Sequence, residues 1–341
     1  MSALSPTAEY LACLERRDLA AAMGVALGAL TAGAGTEQVL GMLAGAQREV
    51  GERWASNEWT VADEHAATAI TDRVAAAVAA HTSEPVLSRP LLVVCAEGEW
   101  HTLPARMLTD GLRARRWDAQ FLGGSIPARD LQRHLEETRP LAVAVSCAIP
   151  MTLPGALETV EAAHRAGVPG IAGGRAFGDD DRRATAIGAD AWAADAAATD
   201  RVLQGWAEHG PGQLAAPDEA AVASYRTLRG DRTLITEQAE HELERRLPWL
   251  RSAEERQRQR TREDLEYTVR FLEATVLTGD ERVATEYLSW LLGILTARRV
   301  PATVLDPTFD ALGVALHAQG QEQAGGLLTR SAASLPANSA T

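Results

Sequence analysis

The stretch PLLVVCAEGEWHTLPARMLTDGLRARR, residues 90–116, changes character halfway along. It opens as an unbroken apolar run, the mark of a strand covered on both faces. From Thr102 onward it reads as a helix. Between the two lies EGEWH, residues 97–101, with two carboxylates, a tryptophan and a histidine. A strand-to-helix turn can be built without a Glu-x-His pair, so this loop calls for a chemical reason.

The same alternation continues downstream. The apolar runs DAQFLG, LAVAVSCA, GVPGIAGG and ADAWAA alternate with the helical stretches ARDLQRHLEETR, LPGALETVEAAHRAG, DDDRRATAIG and TDRVLQGWAEHG. Five strand–helix units over residues 89–209 predict a doubly wound, five-stranded parallel sheet, an α/β block. In such sheets ligands bind beyond the carboxyl ends of the strands. EGEWHTLP follows the first strand, SCAIP ends the third and GGRAFG ends the fourth, so three loops meet at one edge. That edge is the expected site.

All-α segments flank this block. Residues 5–82 predict a four-helix bundle with helices near 6–16, 18–32, 36–55 and 60–81. The last opens with a capping box, Thr60 capping and Asp63 reaching back. After GPGQLAAPD (210–218), read as a linker, residues 218–334 are helical again. There Leu265, Val269, Leu272 and Val276 keep helical spacing and Gly279 closes the helix. The tail SLPANSAT is expected to be disordered. No repeat of fixed period occurs.

Composition narrows the function classes. The chain has 341 residues, a net charge of −13, and no lysine. An acidic chain is poorly suited to a broad phosphate surface, so no nucleic-acid partner is expected. No run of about 18 apolar residues predicts a membrane span. The start, MSALSPTAEY, lacks the charged and apolar regions of a signal peptide. Cys13, Cys95 and Cys147 are few and far apart, which fits reduced thiols and a cytoplasmic location.

Three constellations carry chemistry. In Glu99-x-His101, a carboxylate can fix the imidazole tautomer and raise its basicity, as a metal-ligating histidine needs. With no Cys/His cluster around it, a single histidine suits a metal whose in-plane ligands come from a macrocycle. Gly173–Gly174 after the fourth strand let something bulky approach the backbone. Trp54, followed ten residues on by Glu64–His65, places an indole, a carboxylate and an imidazole at one end of the bundle. That set suits an adenosyl group by stacking and hydrogen bonding. Singly, each has a plain structural reading: a solvated loop histidine, a strand-to-helix turn, and a core tryptophan beside a capping carboxylate.

Together, Trp-x9-Glu-His in a bundle and Glu-x-His after the first strand of an α/β domain resemble the cobalamin-binding module of light-sensing, adenosylcobalamin-dependent proteins. Related modules occur in corrinoid methyltransferases and methionine synthase. The resemblance covers about residues 5–209 and implies a flavodoxin-like sheet domain. Pro104 stands where the family pattern has glycine, and Ala148 where it has leucine; Ser146, Gly173 and Gly174 match. The resemblance implies His101 as the lower ligand of the cobalt, replacing the dimethylbenzimidazole base, with Glu99 behind it. It implies Ser146, Gly173 and Gly174 along the nucleotide tail, and Trp54, Glu64 and His65 over the upper, adenosyl face. It further implies light-driven loss of adenosyl and a change of self-association, as a homodimer or tetramer. Light-responsive repressors of this class carry a helix-turn-helix before the bundle. Few residues precede it here, so direct DNA binding is not expected, and the signal is expected to leave through association or a separate downstream signalling protein.

The third block resembles the globin-like helical domain of photocobilins, photoreceptors that pair cobalamin with a bilin such as biliverdin. A bilin needs apolar walls, polar groups for its pyrroles and cations for two propionates. His241, Arg260, Tyr267, Tyr287, Trp290 and His317 are the candidate contacts, with Arg258 and Arg262 beside them. No cysteine follows Cys147, so the bilin is expected to be non-covalent. The expectation is a photoreceptor and not an enzyme. The rivals are a corrinoid methyl carrier serving a separate methyltransferase, and a cobalamin-free scaffold.

Overall fold

The computed structural model describes residues 5–81 and 90–335. The junction expected between the first two blocks, and the last six residues of the predicted disordered tail, lie outside these. The first block is helical: α1 (Pro6–Glu15), α2 (Leu19–Thr31), α3 (Thr36–Ala55) and α4 (Val61–Ala79). Ser5, Asp18 and Thr60 cap α1, α2 and α4 with side-chain oxygens. The Thr60–Asp63 box is closed in both directions, at 3.2 and 3.0 Å. Small residues, Ala22, Ala26, Ala46, Ala67 and Ala75, let the helices pack closely around Tyr10, Leu14, Leu43, Val50 and Val74. A polar thread runs through this core. The Tyr10 hydroxyl donates to Thr71, Gln47 donates to Thr71, and the Thr68 hydroxyl lies within hydrogen-bond distance of Gln47 and Glu64, one of which takes its proton. It ties the bundle interior to the start of α4.

The second block alternates β1 (Leu91–Cys95), α5 (Thr102–Ala114), β2 (Ala119–Phe121), α6 (Ala128–Thr138), β3 (Ala142–Ser146), α7 (Leu153–Arg165), β4 (Gly170–Gly173), α8 (Arg182–Ala186), β5 (Ala191–Trp192) and α9 (Ala196–His209). All pairings are parallel, in the order β2-β1-β3-β4-β5. The strands read as continuous apolar runs because both faces are covered. Leu91, Val93 and Cys95 pack with Leu112 of α5 and Leu203 of α9. Leu92 and Val94 pack with Leu131, Leu135, Leu157 and Val160 of α6 and α7. The order reverses at β1/β3, so the crevice between their outgoing loops is where such sheets take ligands.

Helix α5 joins the first two blocks. Its Leu103 and Met107 enter the bundle core. Nη1 of Arg106 reaches both oxygens of Asp72, at 2.8 and 2.9 Å. Just past its end, Arg115 bridges Glu37 of α3 and Asp200 of α9.

The third block is α10 (Glu219–Arg246), α11 (Glu255–Thr278), α12 (Arg282–Ala297), α13 (Leu305–Ala318) and α14 (Glu322–Ala333). Leu265, Val269, Leu272 and Val276 are all buried, and Gly279 ends α11 in the left-handed conformation. The expected linker is docked rather than free. Ala215 donates to Asp190, and Pro217 packs so closely on Gly188 that a Cβ there would lie 2.6 Å from its nitrogen. One apolar core runs from Val94 and Leu157 into Leu265, Leu272 and Leu312. Arg183 of α8 seals this junction. It is 1% exposed and donates from Nε to Asp280, from Nη1 to the Ala176 carbonyl and from Nη2 to Glu286. Burial alone would raise the Asp280 carboxyl, but hydrogen bonds from Arg282 and Arg183 outweigh it and hold it at about 2.

Removing one partner of a buried ion pair strands the other charge away from water. Arg183→Met should therefore cost about 3 kcal/mol in urea unfolding. Because the core is shared, tryptophan fluorescence and circular dichroism should give one transition with one midpoint. The stabilisation from Asp280 is present above the ordinary carboxylate range and lost as pH falls towards 2. The difference between the wild type and the variant should shrink in that direction.

Candidate functional site

Hydrogen bonds hold the loop after β1 at Ala96, Glu97, Gly98 and Glu99. Ala96 donates to the Ser146 carbonyl and accepts from Glu99. Glu97 receives the Ala128 amide on Oε2 and gives its own amide to Thr159. Gly98 takes φ +83°, open to glycine at no steric cost, and donates to Ser125. The first turn of α7 presses against this loop at Gly155, where a Cβ would lie 1.7 Å from the Glu97 carbonyl oxygen. No other residue fits there.

This frame presents one carboxylate to five donors. Glu99 is 1% exposed. Its Oε1 accepts from the His101 amide at 2.8 Å and contacts His101 Nδ1 at 2.6 Å. Its Oε2 accepts from the amides of Ala148 and Ile149 and the Thr152 hydroxyl, at 2.8, 3.2 and 3.2 Å. Burial alone would raise the Glu99 carboxyl; the hydrogen bonds from His101 and Ala148 outweigh it and set it at about 2. The anion accepts through both oxygens, so in the neutral ring His101 Nδ1 carries the proton and Nε2 the lone pair. The His101 ring is 59% exposed and free to reach a ligand. Its own pKa is raised, first by the hydrogen bond to Glu99, against burial, and further by the charges of Glu99 and Glu64. Glu64 sits in the first turn of α4. The Arg115–Glu37 and Arg106–Asp72 pairs and Leu103 in the bundle core set the start of α5, and with it this imidazole, at that end of the bundle.

The other expected residues fall as follows. Ser146, buried at the end of β3, pairs in register with Cys95 on one side and Gly173 on the other. Gly173 and Gly174 lie beside it, and at each the Cβ direction is filled by the chain's own backbone. A Cβ at Gly173 would lie 2.5 Å from the Ala193 carbonyl oxygen, and one at Gly174, at φ +102°, 2.4 Å from that of Cys147. Pro104 is the third residue of α5, where no intrahelical acceptor waits for its missing N–H. Ala148 acts through its main chain, so its side chain is free to vary. Trp100, beside the histidine, is 73% exposed.

On the bundle, Glu64 Oε2 lies 2.5 Å from His65 Nδ1, and Oε1 accepts from Thr68. Trp54, in the last turn of α3, stacks on Trp290 of α12. Trp290 in turn neighbours Tyr287, which stacks on Phe271 and shares a hydrogen bond with Thr268. Tyr267 and Arg260 lie along the same α11. His241 and His317 do not join this column. His241 bonds to the Glu237 carbonyl on α10, and His317 pairs with Glu322 after α13. Arg258 is committed to Glu255 and the Ala253 carbonyl, and Arg262 to Glu240. Exposed helix positions satisfied by near neighbours are what separate these groups from the aromatics.

Sequence reading missed Thr152, Gly155 and the shared role of Trp54. Thr152 and Gly155 belong to the SCAIPMTLPG turn after β3. A hydroxyl and a glycine bracketing a helix start there were the available signal. The Trp54–Trp290 contact left none, since it joins positions over 230 apart in sequence.

The donor set suits a metal held mainly by another frame. Among the described residues no group of three His, Cys, Asp or Glu side chains gathers to hold a bare ion. One imidazole with a locked tautomer and an open Nε2 remains. The family models agree. Residues 89–202 match a B12 binding domain family, and residues 7–78 match a second one. The monomethylamine corrinoid protein of Methanosarcina barkeri shares the fold, with a TM-score of 0.50 and 19% identity over 57% of this chain and 95% of that one. A cobalamin-binding protein from Desulfitobacterium hafniense DCB-2 aligns over 60% of this chain and 99% of its own, at 19% identity and a TM-score of 0.32. The methanol:cobalamin methyltransferase complex MtaBC of M. barkeri aligns over 62% and 81%, at 14% and 0.33. A comparison with curated proteins gives no match.

The pair titrates in opposite senses. The raised His101 contributes stability below the ordinary imidazole range, lost as pH rises through its folded value. The lowered Glu99 contributes above the ordinary carboxylate range, lost as pH falls towards 2. By NMR, the ligand-free His101 midpoint should stand above about 6.5 and fall towards it in Glu99→Gln.

Proposed function

We propose that this cobalamin-binding chain, with B12 binding domains over residues 7–78 and 89–202, is a light sensor and not an enzyme. The site then takes adenosylcobalamin between the bundle and the sheet edge. His101 Nε2 is the lower ligand in place of the dimethylbenzimidazole base. Trp54, Glu64 and His65 face the upper side, and Ser146, Gly173 and Gly174 border the nucleotide tail. The observation that carries this reading is the buried Glu99 carboxylate holding His101 in its ligating tautomer. Bound adenosylcobalamin supplies a cobalt–carbon bond that light cleaves. The chain's part is to orient one imidazole from below and pack an upper group from above. Loss of that group removes packing from the α3–α4 end and favours a second arrangement of the bundle. Self-association as a dimer or tetramer then changes, and the signal passes to a partner protein in the cytoplasm. Among the described residues no helix is long and apolar enough to cross a membrane. In the same reading, biliverdin is held without a covalent bond in the globin-like third block, near Arg260, Tyr267, Tyr287 and Trp290. The three cysteines are buried in the first two blocks.

The fold shared with the monomethylamine corrinoid protein supports a second reading, a methyl carrier for a separate methyltransferase. The pigments separate the two. Loaded with adenosylcobalamin in the dark, a sensor should show a histidine-ligated spectrum and shift its elution volume on illumination. A carrier should prefer methylcobalamin and keep its size in light. His101→Ala should abolish the ligated spectrum and weaken binding at least about tenfold. Glu99→Gln should weaken it about 10- to 100-fold, because only the orienting partner is lost. Binding and spectra unchanged by His101→Ala would show that cobalt is not ligated there.

A further inference from the structure

Helix α12 brings a second indole to the bundle end. The Trp54 and Trp290 centroids are 6.1 Å apart, with planes at 30°. Tyr287 follows at 6.2 Å from Trp290, and Phe271 at 3.8 Å from Tyr287 with planes at 13°. The four rings form a column crossing from the first block into the third. Arg298, just past α12, sets its guanidinium 5.2 Å over the Trp54 ring. The inner end of the column is buried, while Trp290 is 46% exposed. Trp54 and Glu64 flank the α3–α4 turn. Arg115, just past the end of α5, pairs with Glu37 at the start of α3, and Arg106 pairs with Asp72 of α4, so α5 begins, at His101, beside that turn. The open end of the column therefore stands at the same end of the bundle as the imidazole.

We propose that Trp290 completes the roof over the upper ligand, so that a nucleoside-sized aromatic group there meets two coupled indoles, one from the bundle and one from the third block. This rests on the adenosylcobalamin reading above. A purine stacking on Trp54 meets a ring already in contact with Trp290 and Arg298, so it must extend the column or displace part of it. Either way α12 makes different contacts with the ligand present and absent, which is the condition for the third block to respond to it.

The test uses the full chain in the dark, titrated by absorbance with adenosylcobalamin and with hydroxocobalamin, which lacks the nucleoside. Trp290→Ala should weaken adenosylcobalamin about three- to tenfold, the range of an aromatic pair, and leave hydroxocobalamin within about twofold. Trp290→Phe should restore most of the loss. Trp54→Ala with Trp290→Ala should lose less than the product of the single losses, because the rings act as a unit. Adenosylcobalamin should also slow hydrogen exchange in α12 more than hydroxocobalamin does. The proposal is overturned if Trp54→Ala is selective for adenosylcobalamin while Trp290→Ala is not, or if the two losses multiply independently. If the wild type does not distinguish the two cobalamins, the adenosylcobalamin reading falls, and this proposal with it.

Discussion

The site depends on one carboxylate kept charged where water cannot reach it. A buried, unpaired carboxylate takes up a proton, because desolvation penalises the anion. Glu99 escapes this with five donors drawn from two loops. Charge-assisted bonds of this kind are the strong ones, and each fixes a direction. The loops after β1 and β3 therefore close on a common anion, and neither can move without leaving part of it unsatisfied. The exposed imidazole inherits that rigidity. Its ring can be open to solvent and still hold one tautomer, because the carboxylate behind it is closed off.

Packing extends this constraint outward. Helix α5 begins where the His101 loop ends and lends Leu103 and Met107 to the bundle core, so the bundle's distance from the imidazole is set by apolar packing and the Arg106–Asp72 pair. On the other side, α11 packs on the Pro150–Thr152 turn, the same turn that gives its hydroxyl to Glu99. The third block is therefore built into the wall behind the histidine. The buried Arg183–Asp280 pair holds that wall in register: two charges taken out of water must meet their partners in one geometry.

What the sequence made legible follows from local physics. Capping oxygens at Ser5, Asp18 and Thr60, the left-handed Gly279 and the doubly covered strands each leave a mark within a few residues. So does Glu99-x-His101, because the pair closes over two positions. Contacts between distant half-exposed residues leave no such mark. Arg183 stands in DDDRRATAIG, which reads only as a helical stretch, yet it is among the most buried side chains in the described residues. Gly173–Gly174 read as room for something bulky beside the backbone; at each the Cβ direction is filled by one of the chain's own carbonyls, while both residues stay half-buried. GPGQLAAPD reads as a tether, but its docking against Asp190 and Gly188 is a tertiary matter.

The α11–α12 pair touches the site twice. Phe271 and Tyr287 stack at 3.8 Å, and Thr268 bonds to the Tyr287 hydroxyl, so the two helices move as a unit. One contact of this unit lies on the turn that holds Glu99, behind the imidazole; the other is Trp290 on Trp54, at the bundle end. They differ greatly in strength. The first is part of a continuous core with a buried ion pair. The second is a single stack between half-open indoles, worth about 0.5–1.5 kcal/mol beyond its area. If the bundle shifts when an upper ligand is lost, the Trp54–Trp290 stack is the contact that yields, while the lower contact keeps His101 in place. In the sensor reading proposed above, a change at the bundle end would then pass to the third block without loosening His101.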